Sequence, residues 1–95
     1  MQIFKFGGAS LKDAQSIERV GNIIKQYSRE HLIVVVSAMG KTTNALEWVY
    51  NYFIENNPQK FEALMQVKIY HFDILQQLFK PNHEVFSDVN QIFTE

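Results

Sequence analysis

The segment Leu32–Val36 is a run of five apolar residues, four of them β-branched, and it constrains the fold more than any other part of the chain. A strand without polar alternation is typical of a parallel sheet that is covered on both faces. Residues 2–6, which precede a glycine pair, predict another strand. Between the strands, apolar residues at spacings of three and four predict a helix that is capped by Ser10 or Asp13 and ends at residues 28–31. Residues 1–40 therefore predict a strand–helix–strand unit with a right-handed crossover.

Three further helices are predicted in the rest of the chain. A first apolar stripe ends at Asn56-Asn57, and Pro58 suits the first turn of a helix that continues to Phe79. A last amphipathic helix follows the break at residues 80–82. The first stripe comprises Leu46, Val49, Tyr50, Phe53 and Ile54, and the last comprises Val85, Phe86, Val89, Ile92 and Phe93. The sequence thus predicts an α/β fold in which a strand–helix–strand unit is followed by three helices.

Two strands are too few for a stable sheet. Leu32–Val36 requires neighbours on both faces, and each strand keeps an unpaired edge. Either the strands pair with another copy of the chain, or the chain is a piece of a larger protein. We therefore expect self-association of the isolated chain, and hinges at Asn56-Asn57 or at residues 80–82 would permit the exchange of an element between copies.

Charge is distributed unevenly along the chain. Residues 1–45 carry six Lys/Arg and three Asp/Glu, whereas residues 46–95 carry three Lys and seven Asp/Glu. The part with the glycine motifs is therefore positive and favours a small anionic ligand, although salt screens such an attraction. The net charge of −1 predicts neither a nucleic acid nor a membrane surface as a partner.

The composition excludes several other kinds of site. The 95 residues contain no cysteine, so the chain has no disulfide and no thiolate metal site. No apolar run approaches the ~20 residues that span a bilayer, and the N-terminus lacks the pattern of a secretion signal, so we expect a cytoplasmic location. The three histidines are scattered, and no spacing of carboxylates predicts a metal site formed by the protein alone.

The segment Lys5-Phe6-Gly7-Gly8 has the features of a phosphate-binding turn. Glycine allows a positive φ and lets a ligand approach the main chain closely. The helix that follows directs its unpaired N–H groups towards the same place, and Lys5 adds a positive charge that suits phosphate oxygens. Taken alone, however, the spacing favours a plain Gly-Gly turn with a solvated lysine.

The second strand is followed by the segment SAMGKTTN, residues 37–44. Its Gly-Lys-Thr matches the end of the nucleotide-binding pattern G-x-x-x-x-G-K-[ST], but the first glycine of that pattern is absent, so the pattern is rejected. Three hydroxyls, those of Ser37, Thr42 and Thr43, remain at the end of a strand, where open α/β sheets bind ligands. A structural role as helix cap is open for both threonines and is favoured for Thr42.

The two motifs together resemble the aspartate kinases of the amino acid kinase family. In that pattern a strand ends in KFGGTS and the next strand is followed by SAMGKTT or a close variant. The corresponding segments here are KFGGAS and SAMGKTTN. The resemblance covers residues 1 to about 50 and implies that residues 1–95 are an N-terminal fragment of a three-layer αβα amino acid kinase domain, with motifs in residues 1–45 and a helical part in residues 43–95.

The resemblance also implies a reaction. The enzyme would transfer the γ-phosphoryl group of ATP to the side-chain carboxylate of aspartate, giving 4-phosphoaspartate, the first step of lysine, threonine and methionine synthesis. Lys5-Phe6-Gly7-Gly8 would hold the ATP phosphates, and Lys5 would be the catalytic residue that stabilises charge during transfer. Ser37 and Thr43 match family positions that contact aspartate, and Mg²⁺ is expected to accompany ATP.

Two departures from the family pattern matter. Ala9 stands where the family most often has threonine, which removes a hydroxyl beside the glycine turn. Family catalytic domains are several times longer, and their acidic substrate contact and adenine pocket lie beyond the matched part, so this chain alone is expected to be inactive. Two other functions remain open for the chain. It could be another family member that acts on glutamate or a nucleotide, which the second motif disfavours, or it could be a non-catalytic helical interaction module.

Overall fold

The computed structural model describes residues 1–27 and 31–94. Strands β1 (Gln2–Phe6) and β2 (Leu32–Val36) lie parallel, and their residues pair in order from the first to the last. The helices are α1 (Ala14–Gln26), between the strands, and then α2 (Thr42–Ile54), α3 (Lys60–Leu78) and α4 (Val85–Thr94). The predicted α/β order, strand–helix–strand followed by three helices, is therefore confirmed.

The chain divides into two compact units, Met1–Asn44 and Ala45–Glu95. In the first unit a short 3₁₀ turn (Gly8–Leu11) leads from β1 towards α1. The ring of Phe4 packs edge-on against Tyr27 with 5.0 Å between ring centroids. Because side chains alternate along a strand, Lys5 lies on the face of the sheet opposite to Phe4. The buried apolar residues of this unit are Leu11, Ala14 and Val20.

Asp13, one of the two predicted caps, begins α1. Its Oδ1 accepts a hydrogen bond of 2.8 Å from the Ser16 N–H, which a helix N-terminus would otherwise leave unpaired. Hydrogen bonds from the Ser16 side chain and N–H lower the pKa of Asp13 below its ordinary 3.8, and the charges of Lys12 and Arg19 act in the same direction. Helix α1 ends at Gln26, and most of the predicted end at residues 28–31 lies outside the described residues.

The prediction that Leu32–Val36 is buried on both faces is wrong for this chain. Ile33, Val34 and Val35 are between 36% and 46% exposed, and Val36 is 60% exposed. In the described part of the chain the sheet consists of β1 and β2 alone, so one edge of each strand lacks a strand partner. An apolar strand therefore remains uncovered.

Asn56 and Asn57 separate α2 from α3, as predicted. Asn56 adopts a left-handed conformation with a φ of 51°, which asparagine tolerates better than most residues. The Oδ1 of Asn57 accepts a hydrogen bond of 2.8 Å from the N–H of Gln59. Because this turn occupies residues 57–59, α3 begins at Lys60 and not at the predicted Pro58.

The apolar stripe predicted for α2 is largely exposed in the second unit. Val49 is buried, as are Val67 and Ile74 of α3. The other members of the stripe are exposed, namely Leu46, Tyr50, Phe53 and Ile54. Helices α3 and α4 are in contact, and the rings of His71 and Phe93 lie 5.8 Å apart. None of the helices in the described ranges is both long and apolar enough to cross a membrane.

Replacing Asp13 with alanine is expected to lower the midpoint of thermal unfolding more at neutral pH than in strong acid. The pKa of Asp13 in the folded chain is depressed, so the ionised cap stabilises the fold above the unfolded value of 3.8, and this stabilisation is lost as the pH falls through the folded value. Thermal unfolding of both proteins across this pH range measures the effect. Asp13→Asn keeps a hydrogen-bond acceptor that does not ionise and serves as the control. If Asp13→Ala lowered the midpoint of thermal unfolding by the same amount at every pH, the prediction would be contradicted.

We expect the purified 95-residue chain to self-associate through β2. Burial of its exposed side chains is worth ~25 cal/mol per Å² of apolar surface, and its free edge offers unpaired backbone groups to a second copy. Light scattering at micromolar concentration measures the association. Val35→Lys should reduce it, because a charge on an exposed strand opposes pairing, whereas Gln76→Lys on the exposed surface of α3 is the matched control. A folded chain that is strictly monomeric would exclude this prediction.

Candidate functional site

Both strands end in turns that carry the sequence motifs. The first, which we call the glycine turn, comprises residues 7–10 after β1, and the second, which we call the hydroxyl turn, comprises residues 37–43 after β2. Because β1 and β2 are parallel, their carboxyl ends meet at one edge of the sheet. Open α/β sheets bind their ligands at this edge.

Backbone hydrogen bonds join the two turns directly. The N–H of Ser37 donates to the carbonyl of Phe6 at 3.0 Å, which continues the strand pairing by one residue. The N–H of Gly40 donates to the carbonyl of Gly8 at 2.9 Å. Two segments about thirty residues apart in sequence are therefore held together by main-chain atoms.

The two glycines of the first motif occupy different environments. A Cβ atom built on Gly8 would lie 2.5 Å from the carbonyl oxygen of Gly40 and 3.1 Å from that of Ala38. A Cβ atom on Gly7 would meet no atom within 4 Å. The sequence predicts glycine here for the approach of a ligand. In the structure, Gly8 is also needed for the close approach of the hydroxyl turn.

Lys5 is exposed on β1, one residue before the last residue of the strand. It borders a shallow cleft of about 310 Å³, and this cleft does not extend to Ser37 or Thr43. The lining residues are Ile3, Phe4, Lys5, Phe6, Ile23 and Tyr27. The structure therefore brings together the main chains of the two predicted half-sites, whereas the described contacts do not join the Lys5 side chain to the predicted substrate hydroxyls.

The two threonines of the hydroxyl turn differ in exposure. Thr42 is 7% exposed, and its hydroxyl donates to the carbonyl of Met39 at 2.5 Å, so it has a partner inside the turn. Thr43 and Ser37 are exposed, and Thr43 lies in the first turn of α2. Of the two threonines, Thr43 therefore has the hydroxyl that a ligand can reach.

Positive charge lies beside the glycine turn. A second cleft, of about 280 Å³, is bordered by Ala9 and Ser10 of the turn and by the cations Lys12 and Arg19. The charges of both cations lower the pKa of Asp13, and its carboxylate in turn offsets part of their positive charge. The sequence predicts an excess of positive charge in residues 1–45. It does not identify Lys12 and Arg19 as the cations beside the glycine turn, since neither belongs to a motif.

The described residues include no group of three or more His, Cys, Asp or Glu side chains that could hold a metal ion. Two of the histidines have internal partners. The Nδ1 of His71 lies 2.8 Å from the carbonyl oxygen of Val67, and the Nδ1 of His83 accepts a hydrogen bond of 3.0 Å from the N–H of Val85. These contacts are those of packing and helix-terminal residues.

The fold and the paired turns define a class of α/β protein in which glycine-containing turns after parallel strands form the ligand-binding edge. The family model of the amino acid kinase family matches residues 1–94. The chain belongs to the amino acid kinase family.

Curated relatives confirm the resemblance to aspartate kinases. The chain is 32% identical over 79 residues to aspartokinase 1, chloroplastic, of Arabidopsis thaliana, which covers 80% of this chain and 14% of the relative. It is 46% identical over 44 residues to aspartokinase 2, chloroplastic, of the same plant, covering 46% of this chain and 8% of the relative. It is 49% identical over 45 residues to the bifunctional aspartokinase/homoserine dehydrogenase 2 of Escherichia coli strain K12, covering 47% of this chain and 6% of the relative. The matched segments thus span between 6% and 14% of the lengths of these relatives.

Proposed function

We propose that the chain is the N-terminal part of the catalytic domain of an aspartate kinase and that residues 1–95 belong to one such domain. The backbone contact between the glycine turn and the hydroxyl turn carries the proposal, because it unites a phosphate-binding motif with two exposed hydroxyls at one sheet edge. The names of the relatives, all aspartokinases, support aspartate as the acceptor. The product would be 4-phosphoaspartate, at the start of lysine, threonine and methionine synthesis.

The proposed reaction needs little covalent help from the protein. A side-chain carboxylate oxygen of aspartate attacks the γ-phosphorus of ATP, and ADP leaves with the electron pair of the broken bond. Because the attacking carboxylate is already ionised, catalysis depends on the positions of the two reactants and on stabilisation of the phosphate charge. Lys5 supplies that charge, and the main chain of Phe6-Gly7-Gly8 holds the phosphates.

The acceptor side of the site is proposed to be the hydroxyl turn. Ser37 and Thr43 have exposed hydroxyls that can donate hydrogen bonds to a carboxylate, whereas Thr42 is committed to Met39. Mg²⁺ would enter with ATP and offset phosphate charge, since the described residues form no acidic cage of their own. ATP and aspartate are thus the proposed partners of the site.

A chimera provides the most direct test. Residues 1–45 of this chain replace the corresponding segment of the E. coli bifunctional enzyme, whose homoserine dehydrogenase activity reports whether the rest of the protein has assembled. We expect ATP-dependent phosphorylation of aspartate and none of glutamate. A chimera that retains dehydrogenase activity but phosphorylates only another acceptor would assign this chain to a different branch of the family.

Lys5→Ala in the chimera should reduce kcat far more than it raises KM for aspartate. Removal of one preorganised charge contact to a transition state costs ~2.7–4 kcal/mol, or roughly 10²–10³ in rate. Steady-state kinetics measure the loss, and Lys25→Ala, which removes a lysine from the last turn of α1, is the control. An unchanged kcat in Lys5→Ala would remove Lys5 from the mechanism.

Thr43→Val in the chimera should raise KM for aspartate and leave KM for ATP nearly unchanged, because the hydroxyl is proposed to contact only the acceptor. The matched variant Thr42→Val loses a buried hydrogen bond to Met39 instead, so its main effect should be on thermal stability. A rise in KM for ATP alone in Thr43→Val would assign the hydroxyl turn to the other substrate.

The 95-residue chain alone is expected to have no aspartate kinase activity. The cleft beside Lys5 and the cleft beside the glycine turn are lined by no acidic side chain, and neither of these two extends into both turns. A coupled assay for ADP with the purified chain, run beside the chimera, tests this expectation. Phosphorylation of aspartate by the chain alone would contradict it.

The cytoplasmic location stays a prediction. Three of the curated relatives are named as chloroplastic, so fractionation of the source cells is the measurement that decides it.

A further inference from the structure

We propose that Gly40 is a positioning residue, which fixes the distance between the turn that holds the ATP phosphates and the turn that holds the acceptor. This inference rests on the proposed function. Gly40 itself is not assigned to either substrate; it acts through its backbone contact with Gly8.

The contact is direct and involves both glycines. The Gly40 N–H donates to the Gly8 carbonyl at 2.9 Å, while the Gly40 carbonyl oxygen lies 2.5 Å from the place where a Cβ of residue 8 would stand. The peptide groups on either side of Gly40 thus both face residue 8. Only a residue without a side chain at position 8 permits this approach.

Gly40 also has a conformation that favours glycine. Its φ is 54°, in the left-handed region that most residues with a Cβ avoid. This reversal lies two residues before the start of α2, so Gly40 sets the path of the chain into the turn that carries Thr43. A change at Gly40 therefore alters the hydroxyl turn relative to the glycine turn without removing any group that is proposed to bind a substrate.

Small displacements between the turns matter for transfer between two bound reactants. Reacting atoms must lie about 3–3.5 Å apart and in line, and a misplacement of ~1 Å can cost on the order of 10²-fold in rate. Since ordinary van der Waals contact begins at 3.4 Å, a methyl group 2.5 Å from the Gly40 oxygen would require a shift of about that size. A side chain at position 8 would therefore displace the hydroxyl turn by a distance that matters for the reaction.

A positioning role predicts a result that lower stability does not. If the acceptor is misplaced while ATP stays bound, water competes better for the γ-phosphoryl group, and ADP and inorganic phosphate form without phosphoaspartate. The ratio of ADP to acyl phosphate is independent of the fraction of folded enzyme, because a smaller folded fraction lowers both products equally.

The test uses the chimera with residues 1–45 of this chain. Gly40→Ala should lower kcat for transfer to aspartate by about 10- to 100-fold and raise the ratio of ADP to acyl phosphate at least about threefold. Gly40→Asn should retain more transfer, because asparagine tolerates a positive φ better than alanine. Gly21→Ala, whose Cβ meets no atom within 4 Å, is the matched control and should leave both quantities unchanged.

A second measurement uses the 95-residue chain itself. Amide hydrogen exchange should show protection of the Ser37 and Gly40 N–H groups, and Gly8→Ala should remove the protection of Gly40 while the amides within β1 and β2 remain protected. Unprotected Gly40 in the unmodified chain overturns the inference, as does a Gly40→Ala chimera with an unchanged product ratio. A chimera that phosphorylates no aspartate, although Gly40 is protected, overturns the proposed function and with it the role of this contact in catalysis.

Discussion

The parallel pairing of β1 and β2 is the interaction on which the rest of the candidate site depends. It places the ends of both strands at one edge, and the hydrogen bond from the Ser37 N–H to the Phe6 carbonyl extends it into the turns. The contact between Gly40 and Gly8 follows one step further along. Among the described backbone hydrogen bonds, these two are the long-range ones that the turns make. Both bonds therefore depend on the strand pair that brings the turns together.

The groups that join the two turns differ from the side chains that are proposed to meet the substrates. The frame consists of peptide groups together with the buried Thr42 hydroxyl, all of which have partners inside the protein. The side chains proposed to meet substrates, those of Lys5, Ser37 and Thr43, are exposed and have no part in the frame. Substitutions in the frame should therefore change the geometry and stability of the turns. Substitutions of Lys5, Ser37 or Thr43 should instead change the charge of the site or its affinity for a substrate.

The local patterns in the sequence were sufficient to predict the order of elements, and tertiary contacts explain what they missed. The strand–helix–strand unit and the helix cap depend on residues close in sequence; the unit is predicted correctly, and Asp13 is one of the two caps that the sequence predicts. The predicted start of α3 at Pro58 is wrong because the Asn57 side chain accepts a hydrogen bond from Gln59 and forms a turn there. Proline at the start of a helix is so common that the sequence does not reveal this turn. The role of Gly8 against Gly40 could not be predicted, since a glycine pair looks the same whether a ligand or a distant part of the backbone approaches it.

The exposure of β2 has a consequence for the site as well as for solubility. A pair of five-residue strands is marginal in water unless other elements bury its faces, and Ile33 to Val36 are largely uncovered in this chain. The two turns follow directly on this strand pair, so the contact between Gly8 and Gly40 depends on the strands staying together. An element that covers the exposed face of β2, whether it belongs to a second copy or to another part of the protein, therefore also stabilises the spacing between the two turns. It need not contact either turn to do so.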